Sequence, residues 1–133
     1  MSDISWSDDL LTGIAFLDED HQKLLGMFNA LLEAMQQDQG GDSTRERLEN
    51  LIAAARLHME QEEGEMRLLN YDKTTAHHAH HIQLLKRLTD LQGSLGTGKN
   101  EYPEMFNYVS QWLSEHILVD DMQLAAALKE TPP

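Results

Sequence analysis

The sequence predicts an all-α protein, an up-down-up-down four-helix bundle preceded by an extended N-terminal arm. Three observations lead to this fold class. Apolar residues recur with helical spacing in four segments, turn-forming residues separate these segments, and no segment alternates apolar and polar residues as a half-buried strand would. Four amphipathic helices with short connections are typical of an up-down-up-down bundle. We expect residues 1–133 to form one domain, because this length is common for a single core.

The N-terminal arm is predicted over residues 1–17, because its apolar residues follow no clear period and Gly13 would allow a bend. Asp18 has the character of a helix N-cap. Ser43 and Glu46 have the spacing of a capping box and would open the second helix. The four helices are predicted over about 19–38, 43–69, 74–92 and 103–129.

Composition restricts the chemistry and the partners. The chain has no cysteine, so disulfides, thiolate zinc sites and iron–sulfur clusters are excluded and any metal must have nitrogen and oxygen ligands. A net charge of −13 argues against nucleic acid or an anionic membrane as a partner. The sequence has no apolar run of about 18 residues and no secretory signal at its start, so we expect no membrane insertion and a cytoplasmic location.

The third predicted helix contains four histidines in one turn, at positions 77, 78, 80 and 81. With His77 at 0°, a rotation of about 100° per residue puts His81 near 40°, and both then lie in the middle of a leucine face. His78 and His80 fall on the flanks of this face and are predicted on the surface. His77 and His81 are one turn apart, so both imidazoles can reach one ion.

Titratable residues lie within the apolar face of every predicted helix. They are His21 on the first, His58 and Glu62 on the second, His77 and His81 on the third, and His116 with Asp120 or Asp121 on the fourth. Any one of them could be a hydrogen-bonded core residue. Together they require partners, because burying each costs several kcal/mol and a whole domain is stable by only about 5–15 kcal/mol. They are too many ligands for one tetrahedral zinc, whereas two octahedral ions with shared carboxylates would use nearly all of them.

These motifs resemble the hemerythrins, specifically the single-domain bacterial type, the bacteriohemerythrins. The resemblance covers nearly the whole chain. The matching stretches are Trp6 followed by Gly13-Ile14 and Leu17-Asp18-x-x-His21, His58-x-x-x-Glu62-Glu63-x-x-Met66, Tyr71 with His77-x-x-x-His81, and Trp112-Leu113-x-x-His116-Ile117 with Asp121.

The resemblance implies a non-haem di-iron centre that binds O2 reversibly and needs no catalytic side chain. One iron would have the ligands His77, His81 and His116, and the other would have His21 and His58. Glu62 and Asp121 would bridge both, together with an oxo or hydroxo group. The iron with two histidines would keep an open position for O2.

Five residues are predicted by their positions to form an apolar O2 pocket. They are Leu24, Met59, Trp112, Leu113 and Ile117. An apolar pocket would exclude water from the bound ligand. The family often has phenylalanine where this chain has Met59, and methionine is both flexible and oxidisable.

The choice between two aspartates depends on the local shape of the fourth helix. Ideal helix geometry places Asp120 near 40° from His116 and Asp121 near 140°, which favours Asp120. The family pattern favours Asp121. A π-bulge, which is common at functional sites, would bring Asp121 inward, and we therefore predict Asp121 as the ligand.

The function expected from these features is O2 transport, storage or delivery, with an oxygen-consuming enzyme or a reductase as a partner. One alternative is an O2 sensor that acts through a partner. Another is a di-iron enzyme acting on peroxide, nitric oxide or ferrous iron, but the Glu-x-x-His motif of carboxylate-rich di-iron oxidases is absent. A mononuclear zinc hydrolase is the third, and here His78 stands where the zincin motif has its catalytic glutamate.

Overall fold

Every regular element in the described part of the chain is helical, and the all-α prediction is confirmed. The computed structural model describes residues 8–38, 41–95 and 102–130, except for the side chains of residues 38, 102, 113 and 114. A short 3₁₀ turn (Asp8–Leu10) precedes α1 (Ala15–Asp38), α2 (Asp42–Leu69), α3 (Thr74–Ser94), α4 (Tyr102–Glu115), a π-helical segment (His116–Asp121) and α5 (Met122–Glu130). The last three follow one another without a break and form the fourth helix of the bundle.

The first helix begins earlier than predicted, so the arm predicted over 1–17 ends too late. α1 starts at Ala15, and Asp18 lies inside its first turn instead of at the N-cap. The Asp18 carboxylate accepts hydrogen bonds of 2.8–3.1 Å from the backbone N–H groups of Thr12 and Gly13 and from the Thr12 hydroxyl. Gly13 makes the turn before the helix with a φ of 84°, which favours glycine. Residues 1–7 lie outside the described part of the chain.

The second helix also begins one residue before its predicted start. Gly41 is the N-cap of α2, and its carbonyl accepts a 3.0 Å hydrogen bond from the Arg45 N–H. Ser43 therefore lies in the first turn, and its predicted role as the N-cap is wrong. Asn70 ends α2 in the left-handed conformation, with a φ of 53°, and its N–H bonds back to the last turn. The other helix ends lie within two residues of their predicted positions, which is the usual scatter.

The apolar core and the polar residues occupy different parts of the bundle. α1 packs against α2 and α4, and α2 packs against α3. The histidines and acids predicted as ligands lie near the beginnings of α1 and α3 and toward the ends of α2 and of the fourth helix. Because consecutive helices run in opposite directions, these positions meet at one end. The remaining inward positions are filled mainly by leucine, with Phe28, Met105 and Val109 also fully buried.

The structure gives no support for a transmembrane segment, since none of the helices in the described ranges has the length and apolar character that crossing a bilayer requires.

Candidate metal centre

The structure brings all seven predicted ligands together in the interior. Each of them is at most 6% exposed to solvent, although every one is polar or charged. They come from four elements: His21 from α1, His58 and Glu62 from α2, His77 and His81 from α3, and His116 and Asp121 from the π-helical segment. Apolar packing alone does not compensate for the free-energy cost of burying so many polar and charged side chains.

Glu62 lies between two groups of histidines. Its Oε1 is 2.8 Å from His77 Nε2 and 3.2 Å from His81 Nε2. Its Oε2 is 2.5 Å from His58 Nε2 and 3.6 Å from His21 Nε2. One carboxylate therefore presents one oxygen to each group.

Asp121 repeats this arrangement from the opposite side. Its Oδ2 is 2.8 Å from His21 Nε2. Its Oδ1 is 3.0 Å from His77 Nε2 and 3.3 Å from His116 Nε2. The donors accordingly form two adjacent sets that could each hold a cation, one with three histidines and Glu62, the other with two histidines, Glu62 and Asp121.

The π-helical segment explains why Asp121 is the aspartate in the middle. An ideal α-helix would turn Asp120 inward and Asp121 away. The wider turn over His116–Asp121 changes this phase, so that the Asp121 side chain is fully buried. Asp120 lies at the edge, where its carboxylate accepts a 3.0 Å hydrogen bond from His116 Nδ1 and a second one from His80 Nδ1.

Three of the buried histidines have their outer ring nitrogen tied to a carboxylate. His58 Nδ1 donates to Asp20 at 2.9 Å, His81 Nδ1 donates to Glu63 at 2.9 Å, and His116 Nδ1 donates to Asp120. Such a bond fixes the tautomer and ring orientation and leaves Nε2 free to bind a metal. Neither Asp20 nor Glu63 was predicted to have this role, although Glu63 belongs to one of the matching stretches. Asp20 directly precedes His21 and Glu63 directly follows Glu62 in the chain, and this adjacency to predicted ligands was the available signal.

The charges in the cluster compensate one another. Burial by itself would lower the pKa of His21 and His77, but the adjacent carboxylates of Asp121 and Glu62 raise these pKa values to about 9 and about 10. Burial would raise the pKa of Glu62, yet the imidazoles around it hold that pKa well below its usual value. For His116, burial dominates and the pKa is lowered. Since metals bind neutral imidazole, cation uptake at this cluster must release protons.

The residues present fit a pair of metal ions. Both ring nitrogens of His21, both carboxylate oxygens of Asp121 and Glu62 Oε2 are buried, and within the described residues none of these atoms makes a well-aligned hydrogen bond. Buried polar atoms are normally well hydrogen-bonded, so several such atoms in one place indicate donors that are arranged for a ligand. Imidazole and carboxylate together are donors that suit iron.

A small, mainly apolar cavity of about 20 Å³ adjoins the cluster. Histidines of both groups line it, namely His21, His58, His81 and His116, together with Asp121. Four of the five predicted pocket residues line it: Leu24, Met59, Trp112 and Ile117. The side chain of Leu113 lies outside the described part of the structure. Phe28, Ala55 and Leu84 also line the cavity and were not predicted. Phe28 is one turn from Leu24, so helical spacing was the signal for it. This volume accommodates one small molecule.

Comparison with known proteins decides the family. Residues 12–128 match the family model of the hemerythrin HHE cation binding domain. The chain belongs to the hemerythrin family. It is 29% identical over 131 residues to the bacteriohemerythrin of Pseudomonas paraeruginosa, covering 98% of this chain and 85% of that protein. It is 25% identical to the bacteriohemerythrin of Clostridium acetobutylicum, over 89% of this chain and 95% of that protein.

Solved hemerythrin structures have the same fold. A crystal structure of wild-type hemerythrin aligns with a TM-score of 0.83 and 26% identity, over 93% of this chain and 96% of that one. A hemerythrin mutant aligns with a TM-score of 0.85 and 25% identity, over 96% and 98%. These matches confirm the predicted four-helix bundle and the predicted family.

Family membership supports binding of non-haem iron and of O2 in general, and the family binds a non-haem di-iron centre. The homologues in this family are oxygen-binding proteins rather than enzymes, in agreement with the expectation of a binding function. Neither the enzymatic alternatives nor a zinc hydrolase is favoured by these matches.

Proposed function

We propose that this chain binds O2 reversibly at a non-haem di-iron centre and serves in O2 transport, storage or delivery. The observation that carries the proposal is the placement of the two buried carboxylates. Glu62 and Asp121 each direct one oxygen toward the three-histidine group and the other toward the two-histidine group. This is the arrangement that two bridging ligands of a metal pair require.

The ligand assignment follows from the two donor sets. His77, His81 and His116 would hold one iron, His21 and His58 would hold the other, and Glu62 and Asp121 would bridge them, with an oxo or hydroxo group as a further bridge. When bound, the iron pair would supply the electrons and the open coordination position that reversible O2 binding needs. The set with fewer histidines would offer that open position, because it has one protein ligand fewer, and the cavity that adjoins the cluster would receive the bound molecule.

The protein itself contributes orientation and exclusion of water. The outer carboxylates Asp20, Glu63 and Asp120 fix the directions of three imidazoles, which keeps the donor atoms pointed inward. Leu24, Met59 and Ile117 are at most 8% exposed and close the cavity with apolar surface. Apolar surface next to the centre would favour retention of a bound small molecule over its reaction with solvent protons.

An oxygen-consuming enzyme or a reductase is the partner we propose, since a carrier needs a recipient for O2 and a source of electrons after oxidation. The net charge of −13 would favour a partner with a basic docking face. A cytoplasmic location remains a prediction from the sequence.

Cycles of oxygenation test the proposal. The iron-loaded, reduced protein should change its absorption spectrum when O2 is admitted and recover it when O2 is removed under vacuum, over several cycles. Irreversible oxidation in a single cycle would overturn the carrier function. Sustained turnover of peroxide or nitric oxide under the same conditions would replace it with an enzymatic one.

A further inference from the structure

Two histidines on α3, the exposed His78 and the half-buried His80, contact the carboxylates that orient the ligands of the three-histidine group. His78 Nδ1 donates to Glu63 Oε1 at 2.6 Å, and Glu63 Oε2 accepts from His81 Nδ1 at 2.9 Å. His80 Nδ1 donates to Asp120 Oδ2, which also accepts from His116 Nδ1. Each carboxylate is therefore held between a buried histidine and a more exposed one.

The geometry of α3 makes this pairing possible. His77 and His81 point into the bundle, and the intervening His78 and His80 lie on opposite flanks of the same turn. One flank faces Glu63 on α2, and the other faces Asp120 on the π-helical segment. The single four-histidine turn thus contacts both neighbouring helices at the level of the metal centre.

The exposure of these groups shows that the pairs contribute little to stability. The side chains of His78 and His80 are 51% and 43% exposed, whereas those of Glu63 and Asp120 are 17% and 18% exposed. Ion pairs with a solvent-exposed partner contribute little to stability, because water screens them. A carboxylate with two donors, however, has its rotation restricted, and an ionised carboxylate accepts only, so both histidines must donate.

The two-histidine group lacks this reinforcement. Its outer carboxylate, Asp20, accepts from His58, and no second histidine contacts Asp20 within the described residues. Trp112 adds to the asymmetry, because it stacks on His116 with ring centroids 4.3 Å apart and donates from Nε1 to the His80 carbonyl at 3.3 Å. Among the described residues, these additional hydrogen bonds and the ring stacking lie around the three-histidine group.

We propose that His78 and His80 are positioning residues of the metal centre. Each acts through its carboxylate, Glu63 or Asp120, to hold the imidazole of His81 or His116 in its ligating orientation. This inference rests on the proposed function, since it assumes that these imidazoles bind metal. It assigns a role to the two histidines that the helical phase places on the surface.

Substitutions that remove or keep the N–H donor test the proposal. Alanine at either position removes the donor, whereas asparagine keeps an N–H close to the position of Nδ1. The matched control is Gln83→Ala, which shortens an exposed polar side chain on the same helix, three residues after His80. Zn²⁺ is a suitable probe because it is redox-inert and binds the same donor types, so affinity can be measured by competition with a chelator.

We expect His78→Ala and His80→Ala each to weaken Zn²⁺ binding about 3- to 10-fold, less than the 10- to 100-fold typical of a residue that bonds the ligand directly. His78→Asn, His80→Asn and Gln83→Ala should bind as the wild type does. NMR of the Zn²⁺-loaded protein should show faster exchange of the His81 Nδ1–H in the first alanine variant and of the His116 Nδ1–H in the second.

Three results would overturn the proposal: unchanged Zn²⁺ affinity in both alanine variants, asparagine variants as weak as the alanine variants, or a control as weak as either. A wild-type chain that binds Zn²⁺ tightly but takes up no O2 reversibly when loaded with iron would overturn the proposed function alone. The positioning role is judged only by the ratio of variant to wild-type Zn²⁺ affinity and by the ring N–H signals.

Discussion

Replacing Asp121 with asparagine should remove at least one of the two metal ions, whereas the same change at Asp120 should only weaken metal binding. The Asp121 oxygens lie 2.8–3.3 Å from the Nε2 atoms of His21, His77 and His116. An amide of the same size would keep one oxygen, but it would lose the negative charge and direct N–H donors at one set of ligands. We therefore expect iron to fall from two ions per chain to one or fewer.

The structure also gives the size of the stability change. Asp121 is fully buried, and removing one partner of a buried charged pair costs about 3–5 kcal/mol. The metal-free Asp121→Asn variant should lose about 3 kcal/mol of unfolding free energy. Asp120 is 18% exposed, so Asp120→Asn should lose at most about 1 kcal/mol. Its iron affinity should drop about 10- to 100-fold while two ions still bind at saturating iron.

Iron analysis after anaerobic loading, together with denaturant unfolding of the metal-free proteins, measures both effects. The wild type and Asp120→Asn, loaded side by side with excess iron, serve as references for Asp121→Asn. If Asp120→Asn loses the iron while Asp121→Asn keeps two ions, the assignment of Asp121 as the bridging residue is wrong.

Three further changes have expected outcomes. Met59 is 4% exposed, and Met59→Ala enlarges the cavity that it lines. The variant should lose about 2–5 kcal/mol of unfolding free energy in denaturant and should autoxidise faster in its oxygenated form. An unchanged autoxidation rate would show that Met59 is not part of the O2 pocket. Gly13→Ala should cost about 1–2 kcal/mol in thermal unfolding, because φ is 84° and the new Cβ would lie 2.6 Å from Lys129 Nζ; a neutral result would contradict this turn geometry. Removing metal with a chelator should lower the thermal midpoint, since ligand at a hundredfold excess over its Kd stabilises a fold by about 2.7 kcal/mol; an unchanged midpoint would argue against a metal built into the fold.

The rotation of about 100° per residue predicts which side chains point inward when their orientation depends on one regular helix alone. His77 and His81 lie 40° apart on a regular α-helix, and α3 is regular over both, so the sequence is sufficient to predict that both point inward. The same calculation on the fourth helix selects Asp120, because periodicity contains no signal for the π-helical turn over His116–Asp121. There the choice of Asp121 depended on resemblance to the family and not on the pattern of this chain.

Contacts between helices are the part that the sequence could not supply. Glu63 and Asp20 look like ordinary solvated acids on a charged helix surface, and only the axial register of neighbouring helices brings them to His81 and His58. The start of α1 was misplaced for a related reason. Asp18 lies inside the first turn and accepts hydrogen bonds from backbone N–H groups of the loop before the helix. In the sequence, an aspartate with this role cannot be distinguished from an N-cap aspartate.

A paired measurement of iron and O2 per chain tests most sharply whether these residues form one di-iron centre that binds a single O2. Anaerobically loaded protein should contain two irons per chain and take up one O2 per iron pair, all of it released under vacuum. One metal ion per chain, zinc in place of iron at full occupancy, or O2 consumption without release would show that the chain is not a di-iron O2 carrier.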